Sequence, residues 1–477
     1  MLIFKKILQY KFLFIAVFVY ITVVGTVSIL RHYQFQTQAW DMGIFEQTMW
    51  NTVNGRVMQN SLEEVSNHLG VHMSPFLFLL VPFYIFFQSP YFLIIIQTLA
   101  LGLGAFPLYF FAKEKLNSPR LAQAIALSYL LHPSLHSINL FDFHPVAFFI
   151  PFIFLAFYFV ERKNYFWVWV FILLAASTKE DSALICVSIV LFWMLQAIFK
   201  IENKRIKIKK INKKAKTTIC LFIFLLTYFV VSTKFIMPAL GGGLLRLDRY
   251  EHLGVNPALL FSTIFTLAKI KYVLFLILPV ILLPLLSLSS IFLVLPAILE
   301  NILTNYSPQF SGLYQYDAVV LPGLYISAVY GLIFLIKKIT SVSLNRKKEY
   351  IFFSIIISFS FFSYLFSSQL GIKKFPLYLF KKNLQADSYR KVVKMIPDKL
   401  SLSAPTNLIP HLSHREYINL IGYEEFNTDI VLIDRFDKFG FESDEQFQQY
   451  FDKLVDSNEY RMTIVDDRYI FLVKSNP

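Results

Sequence analysis

Four short stretches of this chain carry residue types able to move protons or hold an anion. AWDMGIFEQTMW (39–50) places Asp41 and Glu46 among apolar neighbours. SNHLGVHMSP (66–75) spaces His68 and His72 four apart, so that on a helix they share one face and could bind a metal or a phosphate. NLFDFHPV (139–146) holds Asp142 and His144, with Pro145 suited to the first turn of a helix. STKEDSA (177–183) sets Lys179, Glu180 and Asp181 in succession between two apolar stretches. Carboxylates and imidazoles serve proton abstraction, and cations serve an anionic headgroup. Two further loops contribute Arg246, Asp248, Arg249 and His252, and then Tyr314, Tyr316 and Asp317.

Each stretch also has a plainer use. Residues 39–50 read equally as an interfacial amphipathic helix, with Trp40 and Trp50 as belt aromatics and Asp41 as a cap. Most histidine pairs four apart bind nothing, and spacing fixes no third ligand. A tight exposed hairpin accounts for 177–183. A hairpin alone does not need three charges at membrane depth, however, where ionisable groups are costly and tend to be functional.

The elements that must position these groups are membrane helices. Apolar residues make up 56% of the 477, Phe alone supplies 52, and mean hydropathy is +0.55, beyond what a soluble core of this size needs. Runs long enough to cross a hydrocarbon layer of roughly 30 Å recur through the first 370 positions, and lipid requires that their backbones pair internally as helices. About eleven spans follow, at 12–30, 91–112, 120–136, 145–160, 165–178, 182–199, 217–236, 271–287, 290–304, 317–336 and 349–367. The first is too long for a signal peptide and no A-x-A site follows it. Residues 75–88 are apolar but short and contain Pro82, as for an interfacial or re-entrant helix, and 257–269 read similarly. No internal repeat is visible.

The net charge of +14 does not point to nucleic acid. Basic clusters at 5–11, 113–120, 162–163, 200–216 and 337–348 hold 22 of the 45 Lys and Arg, all in connections that one topology places inside, with the N-terminus. The loop 200–216 could also meet anionic lipid. That topology puts loop 31–90 and the four stretches outside. Cys186 and Cys220 both lie in apolar runs, which argues against a disulfide. A transmembrane domain at 1–369 is therefore followed by a small extracytoplasmic α/β domain at 370–477, where 15 basic and 16 acidic residues gather. There 400–404, 429–434, 461–465 and 469–474 read as strands, the last two as a hairpin around Asp466-Asp467, and 443–456 as a helix with Ser443 and Gln446 in capping-box spacing.

The motifs W-D-x-G-I-F-E-Q-x-x-W (40–50), H-x-S-P (72–75), D-F-H-P (142–145), T-K-E-D (178–181) and S-A…P-H-L-S-x-R (403–415) resemble a prokaryotic family of polytopic membrane proteins defined by a domain of unknown function. The resemblance covers nearly the whole chain. The layout is similar to the GT-C superfamily of membrane glycosyltransferases, which use polyprenyl-phosphate sugars. That likeness implies a GT-C-like fold and a bacterial cytoplasmic membrane location. It also implies transfer of a sugar from a polyprenyl-phosphate donor to a glycan, lipid or protein acceptor in the cell envelope. It makes Asp41 the base that deprotonates the acceptor hydroxyl, and Lys179, Arg246 or Arg249 the holder of the lipid phosphate. Glu46, His68, His72, Asp142, His144, Glu180, Asp181 and Tyr316 complete the substrate-binding set. The D-x-D or E-x-D pair common in that loop is absent, Asp41 and Glu46 being five apart, so metal ligands and a divalent-cation requirement stay open.

Two other classes compete. A transporter or flippase of a lipid-linked substrate needs charges distributed through the membrane depth, whereas these gather at the outer end. A non-catalytic membrane anchor would tolerate alanine at Asp41 and Lys179.

Overall fold

A computed structural model describes residues 2–475 apart from 203–204, 244–245, 255–256, 340–344, 423–427 and 458, so parts of the basic stretches 200–216 and 337–348 lie outside the described residues. It is an α-helical membrane protein with a small α/β domain at its C-terminus. Among the described residues, six helices are long and apolar enough to cross a membrane: Tyr10–Tyr33, Pro90–Leu116, Glu180–Ile198, Lys213–Ala239, Gln315–Ile339 and Arg346–Ser367. Pro145–Glu161 and Tyr165–Ala176 are apolar but shorter. Several starts follow from local chemistry: Ser89 and Ser118 accept a first-turn N–H, and Pro90, Pro119 and Pro133 occupy first helical positions where no N–H is needed.

The basic turns meet at one end of this bundle. Lys115 pairs with Glu161 at 2.7 Å, Arg162 with Glu114 at 3.2 Å and Arg120 with Glu349 at 2.6 Å, while Lys113 reaches the Tyr10 hydroxyl.

Three of the expected spans are broken. In 120–136 one helix ends at Leu130 and a second begins at Pro133. Over 271–287 the helix Leu267–Ile277 gives way to 3₁₀ turns separated by Ile281 and Leu282, both at positive φ. Over 290–304 the end of a one-turn helix, Leu288–Ile291, is followed by a separate helix, Leu295–Leu303. Pro279, Pro284 and Pro296 lack the N–H that a continuing ladder requires, a constraint invisible to hydropathy. Non-helical backbone is tolerated in a membrane only where protein groups satisfy it, and they do so here. The Ser360 hydroxyl donates to Pro279 O at 2.8 Å, Ser327 to Ser290 O at 2.6 Å, and the His132 ring meets Leu276 O at 3.1 Å. Gly323 and Gly331 admit this backbone, since a Cβ there would stand 2.3 Å from Leu293 O and 1.9 Å from Leu283 O.

The C-terminal sheet runs in the order Ile418–Leu420, Leu402–Ala404, Ile430–Asp434, Tyr469–Lys474, Tyr460–Val465. The first three strands are parallel and the last two antiparallel to their neighbours. Asp466 and Asp467 turn the final hairpin at positive φ, and Ser443 caps the helix Asp444–Asp456, as expected. The strand Ile418–Leu420 and the helix Leu384–Met395 were not foreseen. One face of the sheet packs on Phe447 and Leu454 of the later helix. The other packs on Tyr389 and Val392 together with Phe35, Ala39, Ile44 and Leu62 of the first loop. The domain is thus seated on the segment that carries Asp41.

Candidate active site

Asp41 is held from both sides. The preceding Gln38 N–H donates to Asp142 Oδ2 at 2.8 Å, and Ala39 N–H donates to Thr406 Oγ1 of the C-terminal domain at 3.1 Å. Asp41 Oδ1 meets His144 Nε2 at 2.8 Å. The other ring nitrogen, Nδ1, faces the carbonyl of Asp142 at 3.2 Å, while Gln97 fixes the same turn by accepting from His144 N–H at 2.8 Å. With Nε2 as the donor, the ring holds the Asp41 carboxylate in place. Burial, and then the charge of Asp41, raise the Asp142 carboxyl to about 7.

The T-K-E-D segment is tied to the first loop. Lys179 is extended and Glu180 opens the helix Glu180–Ile198, where an acid suits the positive helix end. Glu180 takes the His72 ring nitrogen on one oxygen and Met73 N–H on the other, both at 3.0 Å, and Phe76 N–H reaches Ser177 O. Lys179 Nζ lies 2.6 Å from Asp181 Oδ2.

These pieces surround one cavity of about 710 Å³. Asp41, His72, His144, Lys179, Glu180, Asp181, Arg246, Arg249 and Tyr316 line it, nine of the twelve residues to which the sequence assigned a catalytic or substrate-binding role. Three lie behind it. Glu46 is buried and bonds the Tyr84 hydroxyl at 2.5 Å and His414 Nε2 at 2.6 Å. His68 is fully buried with Nδ1 on Glu63 at 2.9 Å. Asp142 holds the Gln38 N–H. The shared helix face expected of His68 and His72 does not form: the helix His68–Val71 is one turn long, His72 is extended, and each ring serves a different carboxylate. Of the other loop groups, Asp317 is buried under the Tyr272 hydroxyl at 2.6 Å and Tyr314 packs on Phe141.

The cations differ in availability. Lys179 is paired with Asp181, and Arg246 with Glu64 at 2.9 Å. Arg249 lies over the Tyr306 ring at 3.9 Å with only a 3.4 Å contact to Gln309, and no carboxylate pairs with it among the described residues. The sequence did not mark Glu63, Glu64 or Glu300 as cavity groups. Glu300 sits within an apolar wall with Pro296, Leu299 and Leu303, and its carboxylate has no hydrogen bond or ion pair among the described residues. Its exposure to the cavity shows no signal in a run that reads as plain membrane helix. Among the described residues no three His, Cys, Asp or Glu groups converge as metal ligands. The carboxylates, imidazoles and cations that line the cavity offer general acid–base and anion-binding chemistry.

The family model described as "Predicted membrane protein (DUF2079)" matches residues 31–470. Among solved structures, the fold is similar to the crystal structure of ArnT from Cupriavidus metallidurans bound to undecaprenyl phosphate. The TM-score is 0.56, at 10% identity, over 96% of this chain and 97% of that one. At that identity the likeness is one of fold. No curated protein matches the sequence.

Proposed function

The chain belongs to the DUF2079 family of predicted membrane proteins, and on that footing we propose that it is a GT-C-type glycosyltransferase acting on a polyprenyl-phosphate-linked sugar. It would work at the outer face of a bacterial cytoplasmic membrane, with the basic end of the bundle inside and the C-terminal domain outside. The observation that carries this is the convergence of Asp41, held by His144, with Lys179 and Arg249 on one cavity, in a fold like that of a protein whose crystal structure contains undecaprenyl phosphate.

In the reaction, Asp41, held by His144, takes the proton of an acceptor hydroxyl. The acceptor oxygen attacks the anomeric carbon as the bond from that carbon to the phosphate oxygen breaks. The leaving polyprenyl phosphate keeps the electron pair, and cations balance its added charge. Arg249 is best suited to that task because Asp181 and Glu64 already neutralise Lys179 and Arg246. Glu180 keeps the loop bearing His72 against the helix bearing Lys179.

The test is release of polyprenyl phosphate from radiolabelled polyprenyl-phosphate sugars by the protein in liposomes. Wild type should turn over and Asp41→Asn, inserted and folded, should not. Equal turnover by the two removes Asp41 as base. Passage of intact donor across the bilayer without release favours a flippase.

A further inference from the structure

A second, smaller cavity of about 200 Å³ lies where the end of the first helix meets the chain leaving the last one. Arg31, Lys374, Gln369 and Tyr378 line it together with apolar groups such as Val27 and Leu140, and no carboxylate does. The two cations are poorly occupied. Arg31 Nε is buried without a hydrogen-bond partner, and its Nη2 reaches Gln36 O only at 3.4 Å. Lys374 Nζ has only Ser367 O, also at 3.4 Å. Neither forms an ion pair among the described residues. The neighbouring acid, Asp142, accepts the Gln38 N–H.

Depth narrows the choice of ligand. Arg31 lies in the last turn of the span Tyr10–Tyr33, and Lys374 seven residues beyond the span Arg346–Ser367, so both stand at headgroup level. The adjoining chain exposes Ile372, Leu377, Tyr378, Phe380 and Leu384 by 54–74%, interleaved with Lys373, Lys381 and Lys382. An apolar surface studded with lysines suits anionic lipid.

We propose that Arg31 and Lys374 form a binding site for a phosphate-class anion, filled by the headgroup of an anionic phospholipid. Arg31 would give the fork of two N–H groups that a phosphate accepts, with Lys374 as a point charge. The site is separate from the Asp41 cavity and does not depend on the activity assigned to it.

The test is thermal stability of the full chain in neutral detergent, titrated with phosphatidylglycerol, phosphatidylcholine or inorganic phosphate. The expected result is saturable stabilisation by phosphatidylglycerol, with phosphatidylcholine inert. Lys374→Gln, at an exposed position, should weaken it by roughly tenfold, as should Arg31→Gln, from loss of one charged hydrogen bond. Should Arg31→Gln fail to fold, Lys374→Gln alone decides. Saturation by inorganic phosphate alone, lost in the variants, assigns the site to free phosphate and overturns the lipid source. Equal responses of wild type and Lys374→Gln overturn the site.

Discussion

His414 Nε2 stands 2.6 Å from Glu46 Oε1 across 368 residues of chain. This contact joins the C-terminal domain to the helix that follows Asp41. It belongs to a seam in which the Gln47 amide donates to Arg415 O and Glu416 O, and Ser61 exchanges hydrogen bonds with Ile418. His411 of the same P-H-L-S-x-R run stacks on His32 at 4.1 Å. The motif thus serves docking, through residues that also fix the first loop.

His414→Ala should leave buried Glu46 with Tyr84 alone. Burial already raises the Glu46 carboxyl, with His414 and Tyr84 opposing it. Loss of one such partner costs about 1–3 kcal/mol, and Glu46→Gln should be strongly non-additive with it. Thermal denaturation of the two single variants and the double variant measures the coupling. Additive effects would show that the pair does not hold the seam.

Asp41→Asn should reduce transfer by at least 10²–10⁴-fold, the usual worth of a positioned general base, with stability little changed. His144→Gln should also lower turnover, because Asp41 loses the ring that orients its carboxylate. Single-turnover rates in liposomes measure both. Wild-type rates in His144→Gln would show that Asp41 acts without it.

Arg249→Ala should raise the KM for a polyprenyl-phosphate sugar by roughly tenfold or more, as loss of one charged hydrogen bond implies. Arg246→Ala should change it little, because Glu64 at 2.9 Å already balances that guanidinium. The reverse order would move the phosphate to the other arginine.

Stability should fall as pH rises through neutrality. Asp142 titrates at about 7 in the folded protein against 3.8 ordinarily. The protonated form is therefore the favoured one in the native state, and its contribution is complete below about pH 4 and lost on passing about pH 7. Asp142→Asn keeps an oxygen for the Gln38 N–H and should flatten the melting temperature between pH 4 and 8. An unchanged slope would assign the pH dependence to another group.

Much of this was legible in the chain. Apolar runs marked the membrane helices, alternating and β-branched residues marked four strands, and ionisable groups flanked by apolar ones marked the cavity. What escaped did so for physical reasons. Hydropathy counts apolar side chains, not the missing N–H of Pro279 or Pro284, so broken segments read as spans. Glu300 lies in one such segment, where nothing local reveals which way it faces. The partnership of Glu46 and His414 depends on chain closure over hundreds of residues, which spacing does not encode. His68 looked like half of a pair because its helix was taken to continue, and it stops after one turn.

The helix Tyr165–Ala176 has twelve residues, about 18 Å at 1.5 Å per residue, and it runs from the basic turn at Lys163 to the T-K-E-D segment. A hydrocarbon layer is roughly 30 Å thick. If the Lys163 turn marks one membrane boundary, a helix of that length leaves Lys179 and Asp181 short of the other by roughly a third of the layer. A lipid phosphate meeting them must descend below its neighbours, or the leaflet must dip to deliver it. On that geometry the length of one helix makes local membrane shape a variable in the proposed reaction.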